Sequence, residues 1–504
     1  MSTMEDIILR IKMGGVSVMS NVIDDLITSH RSEKSRMLTN YKRYMASHDP
    51  DGTPVFKRVF DDPNKINNKL NNAFDADIID VKLGYMIGNP IIYGVESTKY
   101  MVKQTDMTGI ESLVADKQAM DADLETVKSF NMRNNVEDLD GETLKMASVC
   151  AYGARLLYIG SDGLEHVMNV EPWECIFVND GSLDAAQYAL RYYEITESDN
   201  KIKTYVEWYD ETNVYYYVSS EVDAYKDKER KTLYVPYEKD GKAYQPHLFK
   251  GVPLIQFKNN KELQGDCDKV YSLIDGYDNT LSDINSEIEQ FRLAYLAFYG
   301  MAPDEKVISE AKKTGAFGMT SDSRVEFITK NLNDAIIEHH LDRIAENIYK
   351  FARSVDFSDE AFAGNVSGIA MKFKMFGLES KCIMSERKFT ASLRNMYKVL
   401  SSAWQTKGSS IDYMNMTFLW TRNFPLNLLD ESQTTMNFKG NISEKTRLSL
   451  LSFIDDPEKE AEQMRNEEAA SGFVNLDEEV PENDQENEFG IQGSQPKGQE
   501  SGGV

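Results

Sequence analysis

A chain of 504 residues with 41% hydrophobic content has room for about three domains and a sizeable core. Its 82 acidic side chains outnumber 56 basic ones for a net charge of −26, which excludes general attraction to phosphate backbones or anionic membranes and leaves only local or weak contact with nucleic acid. The four cysteines (Cys150, Cys175, Cys267 and Cys382) lie far apart with no CxxC pair, and no window approaches the roughly 20 apolar residues of a membrane span. We therefore expect reduced thiols, no zinc site, no membrane contact and a soluble intracellular chain.

In chain order, residues 16–45 alternate apolar and polar positions as one or two amphipathic helices do. After the turn-rich HDPDGTP, the residues Ile66, Leu70, Phe74, Ile78, Val81 and Tyr85 recur every three or four positions, predicting a helix that ends near Gly88. Asn89-Pro90 stops it, and Ile91, Ile92 and Tyr93 begin an extended segment, because the residue before proline avoids the helical region. Helices are expected over Asp121–Arg133 and Gly141–Tyr152.

From Arg155 to Phe257 β-branched and aromatic residues alternate with polar ones, as in YVEWYDETNVYYYV, where two strands flank a turn at Asp210–Asn213. The triplets at Ser161–Gly163 and Lys239–Gly241 are further turns. Residues 268–299 then read as one long helix of about 45 Å, with a heptad-like seam of Ile274, Tyr277, Leu281, Ile284, Ile288, Phe291, Tyr295 and Phe298. Gly300 and Pro303 end it; after a thirty-residue insert, Ile337, Leu341, Ile344, Ile348, Phe351 and Val355 repeat the pattern. A loop at 356–368 precedes another long helix reaching Gln405, and a helical segment surrounds SEKTRLSLL. From Asp455 to Val504 fifteen acidic and three basic residues give −12, nearly half the total charge, and the stretch from Asn475 is expected to be disordered.

Little in the sequence supports an enzyme. The pair Gly241-Lys242 has Pro236 where a phosphate loop needs its first glycine and Ala243 where it needs a hydroxyl. LGYMIGNP has a helix before it and a strand after it, the reverse of a dinucleotide fingerprint. No histidine sits in HExxH spacing, no GxSxG occurs, and neither a metal nor a cofactor is expected. Aromatics at Tyr205–Tyr217 could stack bases, but their neighbours Glu207, Asp210 and Glu211 favour sheet packing instead.

The order of parts carries more than any one residue. GYMIGNPIIY, VPLIQFKNN followed by a long helix, NVSGIA, RNFPLN and ISEKTRLSLLSFIDDPEKEAEQM occur in that order. In this the chain resembles the portal proteins of long-tailed double-stranded DNA bacteriophages. The resemblance implies an α+β, portal-type subunit: a β-rich wing over 1–267, long stem helices at 268–299 and 332–355, a small α/β clip at 300–331, a channel loop at 356–368, the wing's long helix and following segment at 369–440, a helical crown at 441–474 and an acidic tail at 475–504.

It further implies a non-enzymatic ring, typically of twelve copies, at one capsid vertex of the virion, assembled in the host bacterial cytoplasm. Double-stranded DNA would pass through without sequence specificity. The partners would be the terminase large subunit, head-completion and connector proteins, and the major capsid and scaffolding proteins. The implied channel-loop residues are Asp356, Ser358, Asp359, Glu360, Ala361 and Asn365. Stem packing would fall to Ile274, Tyr277, Leu281, Ile284, Ile288, Phe291, Ile344 and Ile348, and motor docking to Lys312, Lys313 and Arg324. An acidic assembly factor without a channel is the alternative, although it leaves the two seams around an insert unexplained.

Overall fold

The computed structural model describes residues 4–14, 16–62, 65–96, 101–105, 111–115, 117–179, 186–198, 200–220, 232–291, 295–300, 304–315, 322–328, 334–357, 368–409, 411–423, 428–451, 454 and 457–474. Two compact units divide the chain between Phe424 and Pro425. Helices and antiparallel sheets together build the fold, which is α+β.

The first unit opens with α1 (Met4–Met13) and α2 (Val16–Tyr44), the polar run SHRSEKSR forming about two turns inside a single 29-residue helix. Next come α3 (Phe74–Ile87), β1 (Ile92–Val95), β2 (Met101–Thr105), β3 (Glu111–Ala115), α4 (Lys117–Arg133) and α5 (Val136–Cys150). Both α4 and α5 begin four or five residues before the periodicity placed them. The β-rich stretch holds β4 (Tyr152–Ile159), β5 (Glu165–Val170), β6 (Cys175–Val178), β7 (Tyr188–Thr196), β8 (Ile202–Tyr209), β9 (Asn213–Ser220), β10 (Leu233–Pro236), β11 (Tyr244–Pro246) and β12 (Leu254–Lys258). These form a sheet β12-β4-β5 and a sheet β10-β9-β8-β7-β6 with β11 added on β9. The Asp210–Asn213 turn lies where expected: Asp210 accepts from the backbone N–H groups of Thr212 (2.8 Å) and Asn213 (2.7 Å), an Asx turn that closes the β8–β9 hairpin.

Next follow α6 (Tyr271–Phe291), β13 (Tyr295–Tyr299), α7 (Glu305–Thr314), β14 (Arg324–Ile328), α8 (Asp334–Ala352), α9 (Gly368–Thr406) and β15 (Met416–Leu419). β15 returns to pair with β1, matching Ile92 to Leu419 and Val95 to Met416. The main core surrounds the middle of α9, where Phe389, Leu393, Met396 and Tyr397 pack against Met86, Phe130, Leu157 and Phe257 from α3, α4, β4 and β12. The second unit contains α10 (Leu428–Asn437), α11 (Glu444–Leu448) and α12 (Pro457–Val474), with Leu448 and Ala461 buried in it.

Three expectations fail. The helix expected from Ile66 starts at Phe74, and the preceding KINNKLNN has no regular secondary structure. Asparagine competes with the backbone for hydrogen bonds and so resists helix. The helix expected over residues 268–299 is α6 alone, 21 residues or about 31 Å long. Tyr295 and Phe298 lie in β13, which pairs with β14 (Tyr295 with Ile328, Tyr299 with Arg324), because YLAFY has strand-forming residues whose three-residue spacing happened to prolong the helical pattern. The return helix likewise stops at Ala352, three residues before Val355.

Candidate functional site

Helices α6 and α8 pack together and enter the body at a root where charge is buried. Arg43 of α2 lies 3.4 Å from Asp75 on α3 and 2.8 Å from Asp275 on α6, its guanidinium 4.2 Å from the Tyr271 ring centre. Burial pushes the Asp75 carboxyl up to about 6 in spite of Arg43, because removing that carboxylate from water costs more than the ion pair returns. Asp268, just before α6, accepts from Arg36 (3.1 Å) and Asn40 (2.9 Å), so α2 grips the helix start at two heights.

A second buried cluster lies beside it. Lys82 of α3 is fully buried; its ammonium donates to Ser148 Oγ (2.9 Å) and Asn259 Oδ1 (2.8 Å) and lies 2.9 Å from Asp266 Oδ2. Asn259 Nδ2 donates to Asp266 (3.0 Å), and Ser385 of α9 donates to Asn259 Oδ1 (3.3 Å). Lys381 of α9 donates to the carbonyl of Ala352, the last residue of α8 (3.0 Å), and stands 3.9 Å from Asp266. Burial alone would raise Asp266, but Lys381, Lys82 and the Asn259 amide together hold it well below the usual carboxylate range. One ionised carboxylate thus joins α3, the β12–α6 connection, the end of α8 and α9.

The segment before α3 is a strap along α6. Backbone N–H groups of Asn68, Leu70 and Asn72 donate to Ser286 Oγ (2.9 Å), Ser282 Oγ (2.9 Å) and Asp278 Oδ1 (3.1 Å). Two residues of extended chain advance about 6.6 Å. Four residues of helix advance about 6 Å. The alternate amides therefore stay in step with acceptors spaced i, i+4, i+8. Arg58 adds an ion pair to Asp283.

GYMIGNPIIY and the pair Arg422-Asn423, far apart in sequence, meet. The Asn423 backbone N–H donates to Tyr85 O (3.0 Å), and Asn89 Nδ2 donates to Arg422 O (3.3 Å). Arg422 in turn pairs with Glu379 (3.0 Å) and Glu386 (2.7 Å) on α9. Gly88 keeps helical angles (φ −59°, ψ −26°), so a left-handed turn does not demand it. A Cβ there would collide with the Gly84 carbonyl and the Asn423 side chain.

Of the stem residues named from sequence, Ile274 and Ile348 are buried at the root, while Tyr277, Leu281, Ile284 and Ile344 are partly covered. Tyr277 meets Phe74 edge to face at 5.0 Å. Ile288 is 53% exposed, and Phe291 ends α6 with its side chain outside the description. Asp356 is partly buried just beyond α8, whereas Ser358, Asp359, Glu360, Ala361 and Asn365 lie outside the described residues. In the insert, Lys313 is exposed near the end of α7, Lys312 is placed by its backbone only, and Arg324 on β14 is exposed and paired with Glu326. Asp356 lies close enough to Asp77 on α3 and Tyr349 on α8 for its charge to add to burial in raising both, which places it beside the root.

Sequence reasoning missed Lys82, Asp266 and Asn259. The one available signal was that Lys82 interrupts the apolar stretch IIDVKLGYMI of α3. A cleft of about 340 Å³ between the two larger sheets contains Glu207 bridging Arg191 (3.8 Å) and Lys239 (3.1 Å), whose charges answer one another. Among the described residues no cluster suited to a metal ion occurs, and no helix is long and apolar enough to cross a membrane.

Residues 23–472 match the family described as Phage portal protein, SPP1 Gp6-like. The chain is 24% identical over 471 residues to the portal protein of Bacillus phage SPP1, covering 89% of this chain and 86% of that protein. It is 23% identical over 462 residues to the portal protein of Clostridium phage phiCD119, covering 88% and 94% respectively. The match spans the root, the strap and the α3–β15 joint, and this chain belongs to the SPP1 Gp6-like family of phage portal proteins.

Proposed function

We propose that the protein is the subunit of a ring of twelve at one vertex of a phage capsid, the channel through which double-stranded DNA is packaged and ejected. In this reading 1–267 and 369–440 form the wing, α6 and α8 the stem, the segment between them with the β13–β14 pair the clip, 356–368 the channel loop, 441–474 the crown and 475–504 an acidic tail. The clip docks the terminase large subunit and later the head-completion and connector proteins; major capsid and scaffolding proteins meet the outer body.

The observation that carries this reading is the uneven cover of the α6–α8 hairpin. Ile274 and Ile348 are buried at the root, yet Ile288 and Ile336 farther out are 53% and 65% exposed, and Phe351 at the end of α8 is 56% exposed. Large apolar side chains left exposed on the outer part of the hairpin call for cover from another copy.

Electron microscopy of the purified chain should reveal rings with a central hole. Ile284→Asp with Ile288→Asp should abolish them while the monomer stays folded, since Ile288 is exposed in the single subunit. Intact rings from that double variant would refute the stem assignment. Charge reversal at Lys312 and Lys313 should leave rings intact and reduce DNA packaging; unchanged packaging would remove their docking role.

A further inference from the structure

Helix α9 spans 39 residues, about 58 Å, and one side of it remains uncovered. Positions 373, 376, 380, 384, 387, 391, 394 and 398, at spacings of three and four, form a continuous stripe down the helix that is apolar at its start and basic further on. Phe373, Phe376 and Met384 are 77%, 70% and 56% exposed. Arg387, Arg394 and Lys398 are exposed and form no ion pair among the described residues. The stripe contains no acid. Glu379 and Glu386 stand beside it and are held by Arg422. In a chain of net charge −26, such a face is built to meet something acidic and partly apolar.

The same chain carries a face of that kind. On α8, Glu338, Asp342 and Glu346 are exposed at i, i+4, i+8, about 6 Å apart, and form no ion pair among the described residues. The exposed Ile336 on α8 and Ile288 on α6 supply apolar surface. We propose that the α9 stripe of one copy docks on the acidic α6–α8 hairpin of the next. The inference rests on the ring reading and assigns its lateral contact. Because the stripe repels a second stripe, a two-fold dimer through it is disfavoured; two different faces of one chain pair head to tail, the arrangement that closes into rings. A DNA phosphate backbone could meet the three bases but would leave Phe373 and Phe376 bare.

The test reverses charge on each side of the full chain. Arg387→Glu with Arg394→Glu and Lys398→Glu should melt as the wild type does, because these side chains are exposed, and should need at least tenfold more protein to form rings by light scattering. Glu338→Lys with Asp342→Lys and Glu346→Lys should fail in the same way. An equimolar mixture of the two triple variants should assemble, since both junctions of an alternating ring then pair opposite charges. Rings that persist in the first variant overturn the proposal and leave the ring reading standing. Normal rings with impaired DNA packaging also overturn it and assign the stripe to DNA. Failure of the mixture to assemble overturns the pairing with α8, and a wild-type chain that forms no rings removes the ring reading along with it.

Discussion

Replacing Lys82 by methionine keeps the length of the side chain and removes one charge from the buried cluster. Asp266, only 4% exposed at its side chain, would then keep Lys381 at 3.9 Å as its nearest cation. Ser148 Oγ would lose its ammonium donor, whereas Asn259 Oδ1 would keep Ser385. Breaking a buried pair from one side costs about 3–5 kcal/mol. The remaining lysine and serine place the expected loss near 3 kcal/mol. The ionised Asp266 stabilises the fold above its unfolded pKa of about 3.9 and loses that effect as pH falls through its depressed folded value. The gap between wild type and variant should therefore be full at neutral pH and narrow below about pH 4. Urea unfolding followed by tryptophan fluorescence measures it, with Lys82→Met, Asp266→Asn and the double variant forming a cycle. The double variant should lose clearly less than the sum of the singles. A Lys82→Met loss under about 1 kcal/mol at pH 7, or strict additivity, would refute the view that this ion pair fastens the root.

Gly88→Ala should lower stability by about 1–3 kcal/mol through overpacking against Gly84 O and Asn423, with the backbone itself unstrained; a thermal melt equal to wild type would contradict that geometry. Because burial raises Asp75 to about 6, its neutral form is the favoured one: the stabilising effect is complete below about pH 3.9 and is lost as pH rises through 6. Asp75→Asn, which cannot ionise, should accordingly gain on the wild type by on the order of 1–3 kcal/mol between pH 4 and pH 7.5. Melting temperatures at the two ends of that range check the direction, and a gap that shrinks with rising pH would show the opposite balance of burial and pairing.

Helix periodicity and turn chemistry act within a few residues, so the sequence alone determined most elements: α2, α8, α9, the β8–β9 hairpin and the break at Gly88–Pro90 follow from local pattern. Composition likewise bounded the chemistry, since no nucleotide, metal or nucleophile motif was present. The same local rules misread Lys65–Asn72 and Tyr295–Tyr299, where a three- or four-residue spacing was shared by chance and the outcome depended on partners far away in sequence. KINNKLNN is a strap because α6 presents Asp278, Ser282 and Ser286 at its own rise. YLAFY is a strand because β14 lies beside it. Lys82, Asn259, Asp266 and Lys381 look like unrelated polar residues along the chain, and only folding brings them to one buried carboxylate. A charge in water costs nothing to place; a charge without water must be answered by another charge, and which one answers is decided by tertiary structure.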